Sequence, residues 1–351
     1  MRGSRERVRS FLQGGTGDRP ALYDLLRNDA VIAYFSGESA TVDNGPEVVF
    51  RAYEPAIDAT RPLIRTPNRE HEETLPDSRQ RRYCRWTIWT SPRLYSSDEE
   101  YVAEKKRLLA AYDGCWTPAQ QTGLETLFAQ HAEEQHRLGD VYRFLVGPCE
   151  WLQSLYNEVG LDKFVYFLAD YPDLIGDLLE KNTLETIAWV EHLPADSELD
   201  AVFLADDLAY RTGPLFNPRW MERVYMPRLA RIVAAFHRRG MQVLFHSDGN
   251  LYRLLDGLVG AGIDGLNPIE VFAGMEVGEI HRRYPRLWMA GGIDVSDLLV
   301  FGKPEQVRDT VKRSIGAAEG RILVGSSTEL HDAVPLENFL AMREAVLAYR
   351  F

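Results

Sequence analysis

The stretch MQVLFHSDGNLYRLLDGLVGAGIDGLNPIE, residues 241 to 270, decides the fold. Its apolar run, residues 241 to 245, gives way to a polar His-Ser-Asp segment that begins at His246, which predicts a strand with a polar end. Leucines then recur at three- and four-residue spacing, as in an amphipathic helix, and a second short strand ends in Asn-Pro-Ile-Glu at 267 to 270. The stretch therefore predicts a βαβ unit with its polar groups at the carboxyl ends of both strands, where barrel and open α/β folds place ligands.

The same alternation of strands and helices continues from residue 200 to residue 350. Each of the five predicted strands carries polar or glycine residues at its tip, and these are Asp206 and Asp207, His246 and Asp248, Asn267 and Glu270, Gly291 and Gly292 with Asp294, and Ser326 to His331. Because the strands of a parallel barrel bring their carboxyl ends to one mouth, a barrel explains all five tips at once. We therefore predict an α/β fold, a (β/α)8 TIM barrel with N-terminal helical decoration. A flat doubly wound sheet is the alternative, and its site would lie at one switch point.

The first 200 residues predict fewer strands and more helices. We expect a short lead-in helix, a first strand beginning at residues 21 to 23, and an antiparallel strand over RRYCRWTIWT, residues 81 to 90. Apolar stripes predict helices at 98 to 112 and 118 to 138, and a long helix that starts near residue 164 and continues past residue 190. A strand over residues 141 to 147 lies between them.

Composition limits the partners. The chain has 351 residues, and its 40 basic and 52 acidic residues give a net charge of −12, which argues against nucleic acid or an anionic membrane as the main partner. Its three cysteines, Cys84, Cys115 and Cys149, form no CxxC pair, so neither a disulfide framework nor a cysteine-cluster zinc site is predicted. No apolar run approaches the length of a membrane span. We expect a cytoplasmic protein that binds a small molecule.

Three segments resemble one known superfamily. HSDGNLYRLLDGLVGAGIDGLNPIE from residue 246, GGIDVSDLLVFGKPEQVRDTVKRSI from residue 291 and VGSSTELHDAVPLENFLAMREAV from residue 324 are similar to the second half of the uroporphyrinogen decarboxylase superfamily. That superfamily contains the decarboxylase of haem biosynthesis and corrinoid-linked methyltransferases. The resemblance covers residues 140 to 350 well and implies one barrel domain over residues 1–351, with a deep cleft at the carboxyl ends of its strands.

The resemblance also identifies departures from the zinc methyltransferases. Those enzymes carry His-x-Cys after one strand and a further cysteine after the last strand, whereas here His246 is kept and Asp248 and Thr328 occupy the cysteine positions. Soft thiolates suit thiol activation, so coenzyme M is not expected to be the substrate. The resemblance instead implies a nitrogen and oxygen site for a divalent metal such as zinc, formed by His246, Asp248, Glu329 and His331.

The haem-pathway branch differs in another way. Its Arg-Gln-Ala-Gly-Arg segment, which holds the carboxylates of the substrate, has no counterpart near the N-terminus of this chain. The expected cleft is also rimmed by acidic residues, which would repel a polyacidic substrate unless the arginines at 61 to 85 and Arg211 compensate.

Three functions stay open from the sequence. In the first, His246, Asp248 and Glu329 assist transfer of a methyl group from a small substrate to a corrinoid on a partner protein. In the second, a cofactor-free decarboxylation or carbon–carbon cleavage, Asp207 stabilises a protonated electron sink and Arg211 holds a carboxylate. The third is a non-catalytic barrel that only binds a small molecule or a partner. Asp248 and Ser326 to Thr328 also have a purely structural interpretation as turns and helix caps.

The remaining tip residues are candidates for substrate binding, and a homodimer is a candidate assembly. The substrate-binding candidates are Asp206, Arg211, Asn267, Glu270, Gly292, Asp294, Ser327 and Thr328.

Overall fold

Six parallel strands form the largest sheet of the protein. The computed structural model describes residues 3–15, 17–149, 151–195 and 199–351. The strands are β1 (Leu145–Val146), β2 (Ala201–Ala205), β3 (Gln242–His246), β4 (Gly265–Asn267), β5 (Trp288–Ile293) and β6 (Ile322–Ser326). Their order in the sheet follows their order in the chain, and every neighbouring pair is parallel.

Three short pairings close this sheet into a barrel. Tyr142–Arg143, just before β1, pairs in parallel with Ala59–Thr60. Tyr23 bridges to Ala59, and Leu22 bridges to Val324 in β6. The predicted (β/α)8 barrel is therefore confirmed, and the open doubly wound sheet is wrong. The strand expected at residues 21 to 23 consists of these two bridges.

Helices surround the barrel and cover its outer face. Met226–Arg238 is representative, because it buries the residues of its apolar stripe, such as Leu229 and Phe236. None of the described helices combines the length and the apolar character needed to span a bilayer. The α-helices of seven residues or more are Ser4–Leu12, Asp29–Ser36, Gly45–Ala56, Asp98–Ala111, Pro118–Arg137, Gln153–Val159, Leu161–Asp170, Pro172–Glu191, Met226–Arg238, Val277–Arg283, Pro304–Ala317 and Leu336–Ala348.

Short elements complete the fold. An antiparallel sheet of His71–Thr74, Gln80–Tyr83 and Ile88–Thr90 lies outside the barrel. Several short segments connect the longer elements, namely the strands Leu26–Arg27, Ala209–Tyr210, Gly213–Pro214 and Leu330–His331, the helices Pro218–Trp220, Leu255–Gly260 and Leu298–Phe301, the π-helix Met221–Tyr225 and the 3-10 helix Val271–Ala273.

Two sequence predictions differ from the structure in detail. The strand expected over residues 81 to 90 is two strands of the outer sheet, which are separated by a turn at residues 84 to 87. The long helix expected from residue 164 is two helices, because it breaks at Tyr171 and Pro172 begins the second. Proline suits the first turn of a helix and interrupts its interior, which accounts for the break.

Aromatic side chains fill the barrel at the amino-terminal ends of its strands, which we call the lower end. Trp288 lies inside the barrel and stacks on Phe144 with 6.1 Å between ring centroids. Phe11, from the helix Ser4–Leu12, meets the Trp288 ring edge-on at 5.7 Å. A Cβ atom at Gly265 would lie 2.5 Å from that ring, so the absence of a side chain there makes room for the tryptophan. The packed lower end leaves the carboxyl ends of the strands as the face on which a ligand site can form.

Candidate active site at the barrel mouth

Three side chains from neighbouring strand ends converge at the mouth. His246 is the last residue of β3 and is only 8% exposed. Asp248 follows it by two residues, and Asp207 follows the end of β2 by two residues. One nitrogen or oxygen of each residue lies within 4.8 Å of the others. Nε2 of His246 lies 3.9 Å from Oδ1 of both aspartates. We refer to Asp207, His246 and Asp248 as the triad.

Asn267, the last residue of β4, fixes the tautomer of His246. Its amide group donates to the Ala290 carbonyl at 3.0 Å, which orients Oδ1 toward His246 Nδ1 at 2.7 Å. The network therefore assigns the proton to Nδ1, which donates to Asn267, although Arg61 Nη1 also lies 3.4 Å from the same atom. Nε2 is left with its lone pair toward the aspartates. This arrangement is typical of a histidine that binds a metal ion.

A glutamine holds Asp207 in place. Gln153 donates to Asp207 Oδ2 at 2.8 Å and accepts from the Asp207 backbone N–H at 3.0 Å. The other carboxylate oxygen, Oδ1, accepts from the Asp248 backbone N–H at 3.0 Å. These bonds fix Asp207 and bring the two carboxylates close together.

Asp206 has a structural position beneath the triad. It is fully buried and accepts hydrogen bonds from the backbone N–H groups of Leu152 and Gln153 and from the Tyr225 hydroxyl. Burial raises the pKa of Asp206 to about 7, and its three donors partly oppose that rise. The residue anchors the start of the helix that carries Gln153, and it does not line the mouth.

Asp248 has an unusual environment for a carboxylate. Its Oδ1 atom is enclosed and has no hydrogen-bond partner among the described residues, although the side chain as a whole is 45% exposed. Burial raises the pKa of Asp248, nearby Asp207 raises it further, and His246 and Arg61 lower it. An enclosed oxygen without a partner is costly unless a ligand satisfies it. Glu270 lies close by, where it accepts from the Gly249 backbone N–H, and burial raises its pKa as well.

Arginines form the opposite side of the mouth. Glu329 accepts from Arg27 Nη1 at 2.5 Å through one carboxylate oxygen and from Arg61 Nη2 at 2.7 Å through the other. Both arginine side chains are nearly buried, with exposed fractions of 12% and 11%. Since Arg61 contacts both Glu329 and His246, Glu329 lies at the same mouth as the triad.

The ligand set expected for a metal does not come together. Both oxygens of Glu329 are engaged by arginines, and His331 directs its ring to the Val295 carbonyl at 3.3 Å and the Ala333 backbone N–H. The geometry brings Asp207 to His246 and Asp248 in their place.

Several expected substrate-binding residues have structural partners. Asp294 accepts from three backbone N–H groups at the start of the helix Leu298–Phe301, and Ser327 accepts from the Val295 backbone N–H. A Cβ atom at Gly292 would meet Val277 at 2.9 Å, so packing explains this glycine better than close approach of a substrate.

Two candidates lie at other points of the mouth. Arg211 is exposed, and its guanidinium group stacks on Phe272 at 4.2 Å from the ring centroid. Thr328 is half-buried between Ser327 and Glu329.

Arg27, Arg61 and Gln153 were not among the candidate site residues, although the sequence suggested the arginines at 61 to 85 as partners for a polyacidic substrate. Arg61 directly follows the short strand Ala59–Thr60, so a strand tip in the irregular first part of the chain was the available signal. Gln153 lies on a helix after β1, and no local pattern distinguishes it from a surface glutamine.

The donor set of the triad fits a divalent cation. One imidazole nitrogen and two carboxylates are ligands that zinc accepts in catalytic sites, where a further position stays open for water or substrate. The unpartnered oxygen of Asp248 and the oriented Nε2 of His246 are the two observations that support the fit.

Comparison with known proteins gives the family. Among solved structures, a methyltransferase from Methanosarcina mazei matches with a TM-score of 0.66 at 17% identity and covers 98% of both chains, which shows a shared fold. A putative vitamin-B12 independent methionine synthase from Listeria monocytogenes matches more weakly, with a TM-score of 0.38 at 12% identity over 70% of this chain and 83% of that one. No curated protein matches significantly. The family profile described as uroporphyrinogen decarboxylase (URO-D) matches residues 136–349, and the chain therefore belongs to the URO-D family.

Proposed function

We propose that this protein is a methyltransferase that moves a methyl group from the oxygen or nitrogen of a small substrate to a corrinoid on a separate protein. The observation that carries the proposal is a pair of atoms at the mouth, Nε2 of His246 and Oδ1 of Asp248, which lie 3.9 Å apart. Oδ1 is enclosed and has no hydrogen-bond partner among the described residues, and the hydrogen bond from Nδ1 to Asn267 leaves the lone pair of Nε2 toward the aspartates.

The pair matches what the reaction requires. When a methyl group leaves an oxygen or nitrogen, electron density remains on that heteroatom, and an alkoxide or phenoxide is a poor leaving group at neutral pH unless a proton or cation neutralises it. A corrinoid in its reduced form supplies the nucleophile that accepts the methyl group. In this proposal the substrate heteroatom binds beside His246 and Asp248. Asn267 and Gln153 hold the triad in position through their hydrogen bonds to His246 and Asp207.

A divalent metal would be held by Asp207, His246 and Asp248. When bound, it would polarise the substrate heteroatom as a Lewis acid. Because no cysteine belongs to the triad, we expect a weaker zinc site than a thiolate site, and an oxygen or nitrogen substrate in preference to a thiol.

Two further findings support the proposal. The chain belongs to the URO-D family, and a solved structure with the same fold is described as a methyltransferase. Arg27 and Arg61 from the first part of the chain contact Glu329 from the last part, which supports treating residues 1–351 as one domain.

The test is methyl transfer to cob(I)alamin, either free or on a corrinoid protein, with methoxylated aromatics and methylamines as donors. Asp248→Asn preserves the size of the side chain and removes the carboxylate. We expect the rate to fall by roughly 10²–10⁴, the range for a lost acid or metal contact at the reacting atom. Asp309→Asn, an exposed carboxylate on the helix Pro304–Ala317, is the matched control and should keep full activity.

Release of carbon dioxide is measured in the same reactions. Full methyl transfer by Asp248→Asn would contradict the proposed role of the pair. Carbon dioxide release without methyl transfer would instead support the decarboxylase function of this family.

A further inference from the structure

The arginine side of the mouth carries more positive charge than its one glutamate can neutralise. Arg27 and Arg61 share Glu329, and Arg65 is a third, half-buried arginine close to Arg27. No ion pair of Arg65 is found in the described part of the chain. Burial lowers the pKa of Arg27, Glu329 raises it, and Arg61 and Arg65 lower it again. Glu329 is the only carboxylate that pairs with these arginines in the described part of the chain, and Asp24 and Asp248 lie near Arg61 without pairing with it.

Two donors in this cluster are buried and unsatisfied. The Nε–H groups of Arg27 and Arg61 are enclosed, and neither has a hydrogen-bond partner among the residues that the structure describes. A buried donor without a partner costs free energy, so an unsatisfied pair beside a cleft indicates a missing acceptor. Asp24 lies near Arg61, but its two oxygens accept from Ser326 and Leu25.

The backbone between these arginines is strained. Leu63 has a φ of 71°, a left-handed conformation that residues with a side chain rarely adopt, and it lies midway between Arg61 and Arg65. Its side chain is 52% exposed, so apolar packing does not account for the conformation. Strain of this kind is concentrated where a loop holds ligand-binding groups.

The mouth is consequently bipolar. Arg61 lies between two regions of the mouth, because it contacts Glu329 on the arginine side and His246 on the triad side. The triad side carries Asp207 and Asp248, with Glu270 close to Asp248. A substrate that satisfies both sides needs an anionic group at one end and its reactive heteroatom at the other.

We propose that Arg27, Arg61 and Arg65 form an anion subsite that binds a carboxylate of the substrate, so the methyl donor is a carboxylic acid whose methylated heteroatom reaches the triad. This inference rests on the proposed function for the identity of the reactive end, and only on the arginine cluster for the anion. Planar guanidinium groups match a carboxylate in charge and in hydrogen-bond geometry.

The experiment compares 4-methoxybenzoate with 4-methoxybenzamide, a neutral compound of nearly the same shape. Binding is measured by titration calorimetry with the full-length protein and without corrinoid, and the arginine Nε–H signals are followed by NMR. We expect the acid to bind at least about tenfold more tightly than the amide, as for a charge-assisted hydrogen bond between poorly solvated groups. Two arginine Nε–H signals should shift with the acid and stay in place with the amide.

Variants test the charges separately. Arg65→Gln leaves no acid unpaired, and it should weaken binding of the acid by about tenfold while binding of the amide stays unchanged. Glu329→Gln removes the competing carboxylate and should strengthen binding of the acid. Arg308→Gln is the matched control, since Arg308 pairs with Glu344 at 2.9 Å on the helices outside the barrel, and it should change neither affinity.

Equal affinities for acid and amide in the unchanged protein would overturn the subsite, as would unchanged or weaker binding of the acid by Glu329→Gln. If inorganic phosphate shifts the arginine signals and the acid does not, the carboxylate is the wrong anion. Failure of the two proposals can be distinguished. Tight binding of the acid without methyl transfer from any donor refutes the proposed function alone, whereas methyl transfer with equal affinity for acid and amide refutes the subsite alone.

Discussion

At the scale of single residues, Asp24 links the stability of the protein to pH. It is 2% exposed and accepts hydrogen bonds from the Ser326 backbone N–H and hydroxyl and from the Leu25 backbone N–H. Burial raises the pKa of Asp24 from 3.8 to about 6, and these donors only partly oppose the rise. The folded chain therefore binds this proton more tightly than the unfolded chain does. The protonated carboxyl group of Asp24 therefore contributes stability that is fully present below about pH 4 and is lost as the pH rises through about 6.

Asp24→Asn removes this titration. A change in pKa from 3.8 to about 6 corresponds to about 3 kcal/mol. The free energy of unfolding of the wild type, minus that of the variant, should therefore fall by about 3 kcal/mol between pH 4 and pH 7. Urea unfolding across this range measures the difference, and the exposed Asp309→Asn serves as the control. A difference that stays constant with pH would show that Asp24 does not titrate as inferred.

Single residues of the site were predictable where the strand pattern was regular. His246, Asp248, Asn267 and Asp207 end strands in the regular second half, so their convergence follows from the geometry of a barrel. The partners of Glu329 were not predictable, because hydrogen bonding to arginines from distant parts of the chain decides its role. Asp206 shows the same limit. It was expected to bind substrate, and its burial beneath a helix is a tertiary property.

At the scale of elements, the helix Gln153–Val159 and the π-helix Met221–Tyr225 are joined through Asp206. The π-helix places the Tyr225 hydroxyl 2.8 Å from the buried Asp206 carboxylate, which also holds the start of the other helix. π-Helical turns are frequent near functional sites. Here the turn supports the helix whose Gln153 positions Asp207.

Tyr225→Phe tests this connection. The change removes one donor from a buried carboxylate, so we expect the free energy of unfolding to fall by about 1–3 kcal/mol. The midpoint of denaturant unfolding should decrease while its slope stays the same. Tyr166→Phe, at a tyrosine that is 70% exposed, is the control and should have little effect. Equal losses in the two variants would mean that the Asp206 contact adds no stability.

Elements were predictable from periodicity except where short segments intervene. The helices Pro304–Ala317 and Leu336–Ala348 agree closely with their apolar spacing. The outer sheet was only partly recognised, because the alternation over residues 81 to 90 conceals a turn between two strands. Its pairing with His71–Thr74 depends on contacts that a local pattern does not contain.

At the scale of the whole molecule, the barrel closes where its first and last strands meet. The Tyr23 backbone N–H donates to the Val324 carbonyl at 2.7 Å, and the Val324 N–H donates to the Ala21 carbonyl at 2.9 Å. A Cβ atom at Gly325 would overlap the Tyr23 carbonyl oxygen. Only a glycine permits this approach of the two backbones.

Gly325→Ala should therefore strain the closure of the barrel. We expect a loss of roughly 2–3 kcal/mol or more in the free energy of unfolding, as in overpacked cores. Gly123→Ala is the matched control. Gly123 lies inside the helix Pro118–Arg137, and a Cβ atom there would meet nothing within 4 Å, so alanine should stabilise the protein by about 0.5–1 kcal/mol. Thermal and denaturant unfolding of both variants provide the measurement. An unchanged free energy of unfolding in Gly325→Ala would contradict the role of Gly325 where the first and last strands meet.

The cluster of Arg27, Arg61 and Arg65 around Glu329 forms only when the first and last strands meet. Arg27 and Glu329 are 302 residues apart in the sequence, and closure of the barrel brings them together. Helices form from local contacts, whereas contacts between distant segments form late because of the entropy needed to close the chain. A chain in which helices have formed but the first and last strands have not met lacks the cluster. Such an intermediate cannot recognise an anion. A bound substrate would then stabilise the closed barrel over every unclosed form, in proportion to its concentration and affinity.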